Sequence, residues 1–179
     1  NKQAHIAWPR SFFSDPNNSQ WYRSIWPWVC IFTAVQMLNF PEYDFLIQEQ
    51  EQKKVIFDPV RKKFIPLTPE EWVRQHCIAH LINYYQIPAG VIAVEREIQA
   101  FGLRKRFDIV VFAQNTKPII LIECKAPEVA LTRNTLIQAA TYNNKLDSPW
   151  MWITNGIQHA WFEKIGGKTQ LVKAPVSLI

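Results

Sequence analysis

Between Leu67 and Phe162 the hydrophobic period of this chain switches from helical to strand-like, back to helical and again to strand-like. That order restricts the fold to an α/β architecture. The first helical stretch, "LTPEEWVRQHCIAHLINYYQIP", opens with Thr68 as a cap, Pro69 at the first helical position and Glu71 three residues after the cap. Its apolar residues Val73, Cys77, Ile78, Leu81, Ile82 and Tyr85 recur at helical spacing, and the helix should end near Tyr85, before Pro88. Period-two patterning follows in "VIAVEREIQ", "RKRFDIVVFA" and "KPIILIEC", which predicts three neighbouring strands. "LTRNTLIQAATYNNKL" is again helical, and "WMWITNGIQHAWF" reads as two strands joined at Asn155-Gly156. Upstream, "KKVIFDPVRKKFI" has short apolar arms around Asp58-Pro59 and predicts a small hairpin.

Composition bounds the rest. A chain of 179 residues with 48% hydrophobic and 20% charged residues suits one well-buried folded domain. Its net charge of +5 is a modest excess that suits a polyanionic partner without requiring one. The three cysteines (Cys30, Cys77, Cys124) form no CxxC pair or zinc-site spacing, which points to a reducing, cytoplasmic setting. His76 and His80 are four apart on the first helix but lie outside any HExxH motif, so a structural role is expected for them. The apolar stretch Ile25 to Leu38 is shorter than the roughly 20 residues of a membrane span and contains Pro27, so no membrane partner is expected. Residues 1–36 hold four of the eight tryptophans and little periodicity. They read as an N-terminal extension, with the ordered domain at 37–179.

Two acids and a lysine interrupt the strands. In the second strand, alternation places Asp108 with Val110 and Phe112, and in the third it places Leu121, Glu123 and Lys125 on one face. Carboxylates among apolar residues are costly unless paired with a cation or bound to a metal. Magnesium is one such partner, because it takes one or two carboxylates and completes its shell with water and phosphate oxygens. Pairing of the two acids with Arg106 or Lys125 is the plainer alternative. Glu71 has an equally plain reading as a capping-box acid, and Glu70 with Arg74 as an i,i+4 pair. Glu95 and Glu97 are expected to lie partly exposed opposite Arg104 or Lys105, and Trp150, Trp152 and Trp161 to pack in the core.

Asp108 followed by Glu123-Cys124-Lys125 resembles the motif of the PD-(D/E)XK nucleases, with Phe107 where a proline is common. Gln138 and Tyr142 on the next helix resemble the Q-x-x-x-Y motif of a subset of them. Together with "LTPEEWVRQH", "VEREI", "PIILIECKAP" and "WITNGIQH", the stretch from about Leu38 to Phe162 resembles the N-terminal nuclease domain of type I restriction enzyme R proteins. The resemblance implies a restriction-endonuclease-like mixed sheet flanked by helices. It implies Mg²⁺, with Mn²⁺ able to substitute, held by Asp108 and Glu123, Lys125 as the catalytic lysine, and Gln138, Tyr142 and Glu71 in support. The activity implied is metal-dependent endonuclease cleavage of DNA, alongside motor or specificity subunits of a restriction system. The chain itself contains no GxxxxGK[ST] loop. A DNA-binding or assembly module that keeps the fold without turnover is the alternative.

Overall fold

The computed structural model describes residues 37–100, 103–146 and 148–178, without the side chains of 98–100, 103, 105, 142 and 144–146. The proposed extension at 1–36, with Cys30 and most of the apolar stretch, lies outside the described residues. A small antiparallel sheet comes first, from β1 (Ile47–Gln50), β2 (Lys53–Asp58) and β3 (Lys63–Pro66). β2 and β3 are the hairpin expected around Asp58-Pro59. Asp58 holds its turn, accepting from the Val60 and Arg61 amides at 2.8 and 2.7 Å. β1 is an addition to the sequence reading, and its turn into β2 places Glu51 and Gln52 at φ 49° and 63°.

Helix α1 (Pro69–Asn83) begins as predicted, with the Thr68 hydroxyl accepting the Glu71 amide at 3.1 Å. It is followed by β4 (Ile92–Ala100), β5 (Leu103–Phe112), β6 (Pro118–Cys124), α2 (Arg133–Leu146), β7 (Trp150–Thr154), β8 (His159–Ile165) and β9 (Lys168–Val172). These strands form one six-stranded sheet in chain order. All neighbours are antiparallel except β6 and β7, which are parallel and joined through α2, as a parallel pair requires a crossover. β9 also extends the sequence reading, paired to β8 through Gly166 and Gly167, both at positive φ.

Both faces of the central strands are buried, so β6 is almost continuously apolar. Ile120, Ile122 and Cys124 pack with Val73, Cys77, Ile78 and Leu81 of α1, together with Ile109, Val111 and Trp152. Leu121 packs on the other side with Val110, Met151, Ile153 and Ala139 of α2. The predicted alternation fails at one place: Phe107 joins Val110 on the α2 side, while the Asp108 carboxylate reaches Arg74 of α1. The pairing of β5 with β6 stops at Ile109 and Ile122, and Glu95 of β4, beside the irregularity, sits at φ 53°. No helix among the described residues is long and apolar enough to cross a membrane.

Trp152 and Trp161 stack with ring centroids 4.5 Å apart, in the core as expected. Phe40 packs against His76, His80, His159 and Trp152. His76 bonds the Trp72 carbonyl and His80 the Tyr43 hydroxyl, so this pair is structural, as the sequence suggested. Burial, and for His80 also the proximity of His159, lowers the pKa of all three histidines, that of His80 to about 4. The unfolded chain therefore takes up protons below about pH 6.5 that the folded chain refuses, and stability falls as pH drops from there toward 4. Thermal unfolding between pH 6.5 and 5 should show a steadily falling midpoint, and His80→Gln should flatten that slope.

Candidate active site

The site forms where β5 and β6 part. Two residues beyond Ile122, which forms the last pair with Ile109, the ladder with β5 no longer serves the Cys124 amide. The Asp108 side chain does so instead: its Oδ2 accepts the Cys124 amide at 2.7 Å. A carboxylate has thus replaced a ladder carbonyl, which fixes Asp108 beside Glu123 and Lys125 although fifteen residues separate Asp108 from Glu123. Lys125 follows the end of β6 and continues its parallel pairing with β7, donating its amide to the Thr154 carbonyl at 2.8 Å. Its Nζ lies 3.2 Å from Glu123 Oε1. Burial opposes the lysine's charge, but Glu123, then Asp108 and Glu70, outweigh it and raise the Lys125 pKa.

Asp108 Oδ1 accepts from Arg74 Nη2 at 2.9 Å. This answers part of what the sequence left open: the partner of Asp108 is neither Arg106 nor Lys125 but an arginine of α1. Arg74 is buried, and the same guanidinium bonds Glu70 at 2.8 Å and Glu71. Burial works against its charge, yet Asp108 and Glu71 raise its pKa above the usual arginine value. Glu71 does not close a capping box. Its Oε1 accepts from Arg61 at 2.5 Å and Gln75 at 2.9 Å, and its Oε2 accepts from Arg74. Three donors in a buried site satisfy both oxygens better than one amide at the helix start could.

Arg61, from the turn after β2, reaches Asp58 at 2.6 Å, Glu71 at 2.5 Å and Glu95 at 3.0 Å. Arg106 stands 3.7 Å from Glu95, and Arg104 pairs with Glu97 at 2.6 Å on an exposed rim. Taken together, the carboxylates of Asp58, Glu70, Glu71, Glu95 and Asp108 face the guanidiniums of Arg61, Arg74 and Arg106. Glu123 and Lys125 balance each other. The formal excess is two negative charges, the charge of one divalent cation. No group of three or more His, Cys, Asp and Glu positioned to hold a metal occurs among the described residues. The donor set of Asp108 and Glu123 nevertheless fits magnesium, which needs only one or two carboxylates.

Gln138 is exposed on α2 and, among the described residues, no hydrogen bond joins it to Asp108, Glu123 or Lys125. Tyr142 stands one turn further along α2, and its side chain lies outside the described residues. Three residues that sequence reasoning left out of the site belong to its frame. Arg61 and Arg74 are two. Their signal was an arginine close in sequence to acids, Arg61 three residues after Asp58 in the turn and Arg74 four after Glu70 on the helix that also carries the apolar face. The third is Asn155. Its carbonyl accepts from the Ile157 and Gln158 amides, and its amide donates to the Val129 carbonyl at 2.9 Å and the Pro127 carbonyl at 3.4 Å. The connection from β7 to β8 is therefore a four-residue loop, Asn155 to Gln158, that ties down the segment after Lys125.

The family model for the type I restriction enzyme R protein N terminus (HSDR_N) matches residues 69–175. That span takes in both helices and the whole six-stranded sheet. The chain belongs to this family. Its PD-(D/E)XK character and its mixed sheet flanked by helices are those the motifs implied. Among solved structures, a candidate nuclease of the DUF820 group from Anabaena variabilis ATCC 29413 is 14% identical. That similarity covers 76% of this chain and 81% of the other, with a TM-score of 0.42. No curated protein matches the chain.

In this R-protein N-terminal domain, the Asn155 contacts are a stability element next to the site. Asn155→Ala should cost about 1–2 kcal/mol in urea unfolding, because it leaves partly buried backbone groups without their side-chain partner. Asn155→Asp keeps the acceptor for the turn amides and should recover about half of that loss.

Proposed function

We propose that this domain is a metal-dependent deoxyribonuclease that hydrolyses phosphodiester bonds within a restriction system. The observation that carries the reading is the convergence of Asp108, Glu123 and Lys125 at the splayed end of β5 and β6, in a cluster with two excess negative charges. Asp108 and Glu123 would hold Mg²⁺ or Mn²⁺. When bound, the ion supplies a Lewis acid that polarises the scissile phosphate and acidifies water. Lys125 stays protonated beside Glu123 and is placed to stabilise charge developing on the phosphate oxygens. Glu123 orients Lys125, and the Lys125 amide bond to Thr154 fixes the backbone that carries it. Gln138 and Tyr142, one helical turn apart on α2, are assigned to supporting contacts with DNA. Motor and specificity subunits are the partners this family membership suggests.

A second reading has one observation in its favour. Arg74 already compensates Asp108, so a DNA-binding or assembly module could keep this arrangement with no metal at all. Plasmid cleavage separates the two. With Mg²⁺ or Mn²⁺ the chain should nick or cut DNA, EDTA should stop it, Asp108→Ala should abolish it, and Lys125→Ala should slow it by about 10²- to 10³-fold. DNA binding that persists without turnover, and without calorimetric Mn²⁺ uptake sensitive to Asp108→Ala, would decide for the module. Cleavage that survives both substitutions would remove these residues from the chemistry.

A further inference from the structure

We infer that the outer half of the β4–β5 hairpin is an arm that grips duplex DNA beside the site, with Arg104 and Arg106 as its phosphate contacts. The inference deepens the reading above and rests on it for DNA as the partner. β5 pairs with β6 only from Ile109 to Phe112, while its pairing with β4 runs on to Leu103 and Ala100. β4 is an edge strand of the sheet, so from Asp108 outward these two strands form a ribbon with no third strand paired to it among the described residues. Because β5 and β6 are antiparallel, the ribbon leaves the sheet at the carboxyl end of β6, the end that carries Glu123 and leads into Lys125.

The base of the ribbon is anchored and its outer part is open. Phe107 is fully buried in the α2-side core, whereas Arg96, Glu97, Arg104 and Arg106 are exposed, the side chains of Arg104 and Arg106 at 68% each. Alternation places Arg104, Arg106 and Asp108 on the face of β5 opposite Phe107, so the two guanidiniums lead up to the site. Residues two apart on a strand are about 6.8 Å apart, close to the spacing of successive phosphates along one DNA strand. Charge is complementary as well: Arg96, Arg104, Lys105 and Arg106 stand against Glu95 and Glu97. Neither acid holds its arginine firmly. The Arg104 pair with Glu97 lies on the surface, and Arg106 is 3.7 Å from Glu95, which keeps a closer partner in Arg61 at 3.0 Å. Exposed pairs of this kind contribute little, so a phosphate can replace either carboxylate, and the planar guanidinium fork matches phosphate oxygens. The shape selects a duplex, whose major groove admits a two-stranded ribbon.

Fluorescence anisotropy with a short labelled duplex, in EDTA and over a series of salt concentrations, tests the arm without metal or turnover. Arg104→Gln with Arg106→Gln should weaken binding about ten- to a hundredfold at about 0.1 M salt and lower the slope of log affinity against log salt by about two. Arg104→Lys with Arg106→Lys should restore the slope. Glu97→Gln, which removes the competitor of Arg104, should tighten binding by about two- to tenfold. Lys168→Gln with Lys173→Gln, two exposed lysines on and just after the opposite edge strand β9, should leave affinity and slope unchanged. The assignment fails if the parent chain shows no salt-dependent duplex binding, if the Gln pair keeps the parent's slope, or if the Lys168 and Lys173 changes lower it equally. Single-stranded DNA bound more tightly than the duplex also overturns it. Should the Gln pair not fold, Glu97→Gln decides, and unchanged affinity there overturns the arm. The two readings fail separately: a chain that cuts plasmid but whose binding ignores Arg104 and Arg106 loses the arm and keeps the nuclease, and one that passes these tests but never cuts keeps the arm as a binding module.

Discussion

The hydrogen bond from the Cys124 amide to Asp108 Oδ2 sets the geometry of everything around it. In a regular antiparallel pair that amide would meet a backbone carbonyl of β5. Using a side chain as the acceptor lets the strands separate without leaving a buried N–H unsatisfied, which would cost about 1–3 kcal/mol. The exchange fixes one carboxylate oxygen firmly and leaves the other to face α1. It also explains why Asp108 departs from the alternation of Val110 and Phe112. A residue at the point where two strands part is no longer constrained by the pleat.

The same contact brings a carboxylate against a buried helix, and the consequences spread through α1. Unpaired, Asp108 and Glu71 would be too costly to hold in so dry a place. Arg74 and Arg61 make the burial tolerable, and Gln75 bridges Asp58 and Glu71 at 2.9 Å to each. Asp58 in turn organises the β2 to β3 turn that delivers Arg61. The small sheet is thus joined to the site by charge as well as by packing. Losing one partner of such a network is far more damaging than replacing the whole of it with apolar groups, because the remaining charge stays buried.

Much of this was legible in the chain. The helix start at Thr68-Pro69, the strands around Asp108 and Glu123 and the hairpin at Asp58-Pro59 follow from local rules that tertiary context did not override. β1 was not legible, because its turn uses Glu51 and Gln52 at positive φ, where side chains normally disfavour that conformation. β9 had a signal in Gly166-Gly167, a pair that readily adopts such a turn, but its strand is short and mostly exposed. Of the candidate site, the motif identified which residues matter but not what neutralises them. Pattern rules treat Glu71 as a cap and Arg74 as an i,i+4 partner, since both roles are local. Their burial against Asp108, 34 positions from Arg74, is a property of the fold.

The position of the site within the sheet follows from topology. β6 and β7 are the only parallel neighbours in the six-stranded sheet, so their carboxyl ends emerge side by side, where loops of an open α/β sheet usually receive ligands. Asn155 at the end of β7 bonds the carbonyls of Pro127 and Val129, which follow β6. Gly156 is held just as closely: a Cβ there would come within 2.7 Å of Leu38, and its φ of 83° favours glycine. Behind Glu123 and Lys125, Cys124 points the other way, its sulfur 3.9 Å from that of Cys77 on α1. Burial, Cys77 and Asp108 raise the Cys124 pKa, so it remains a neutral thiol that packs the strand against the helix. The order acid, small apolar residue, lysine therefore divides the labour across the sheet. The two charged groups meet the open end of the strands while the residue between them anchors β6 to the core.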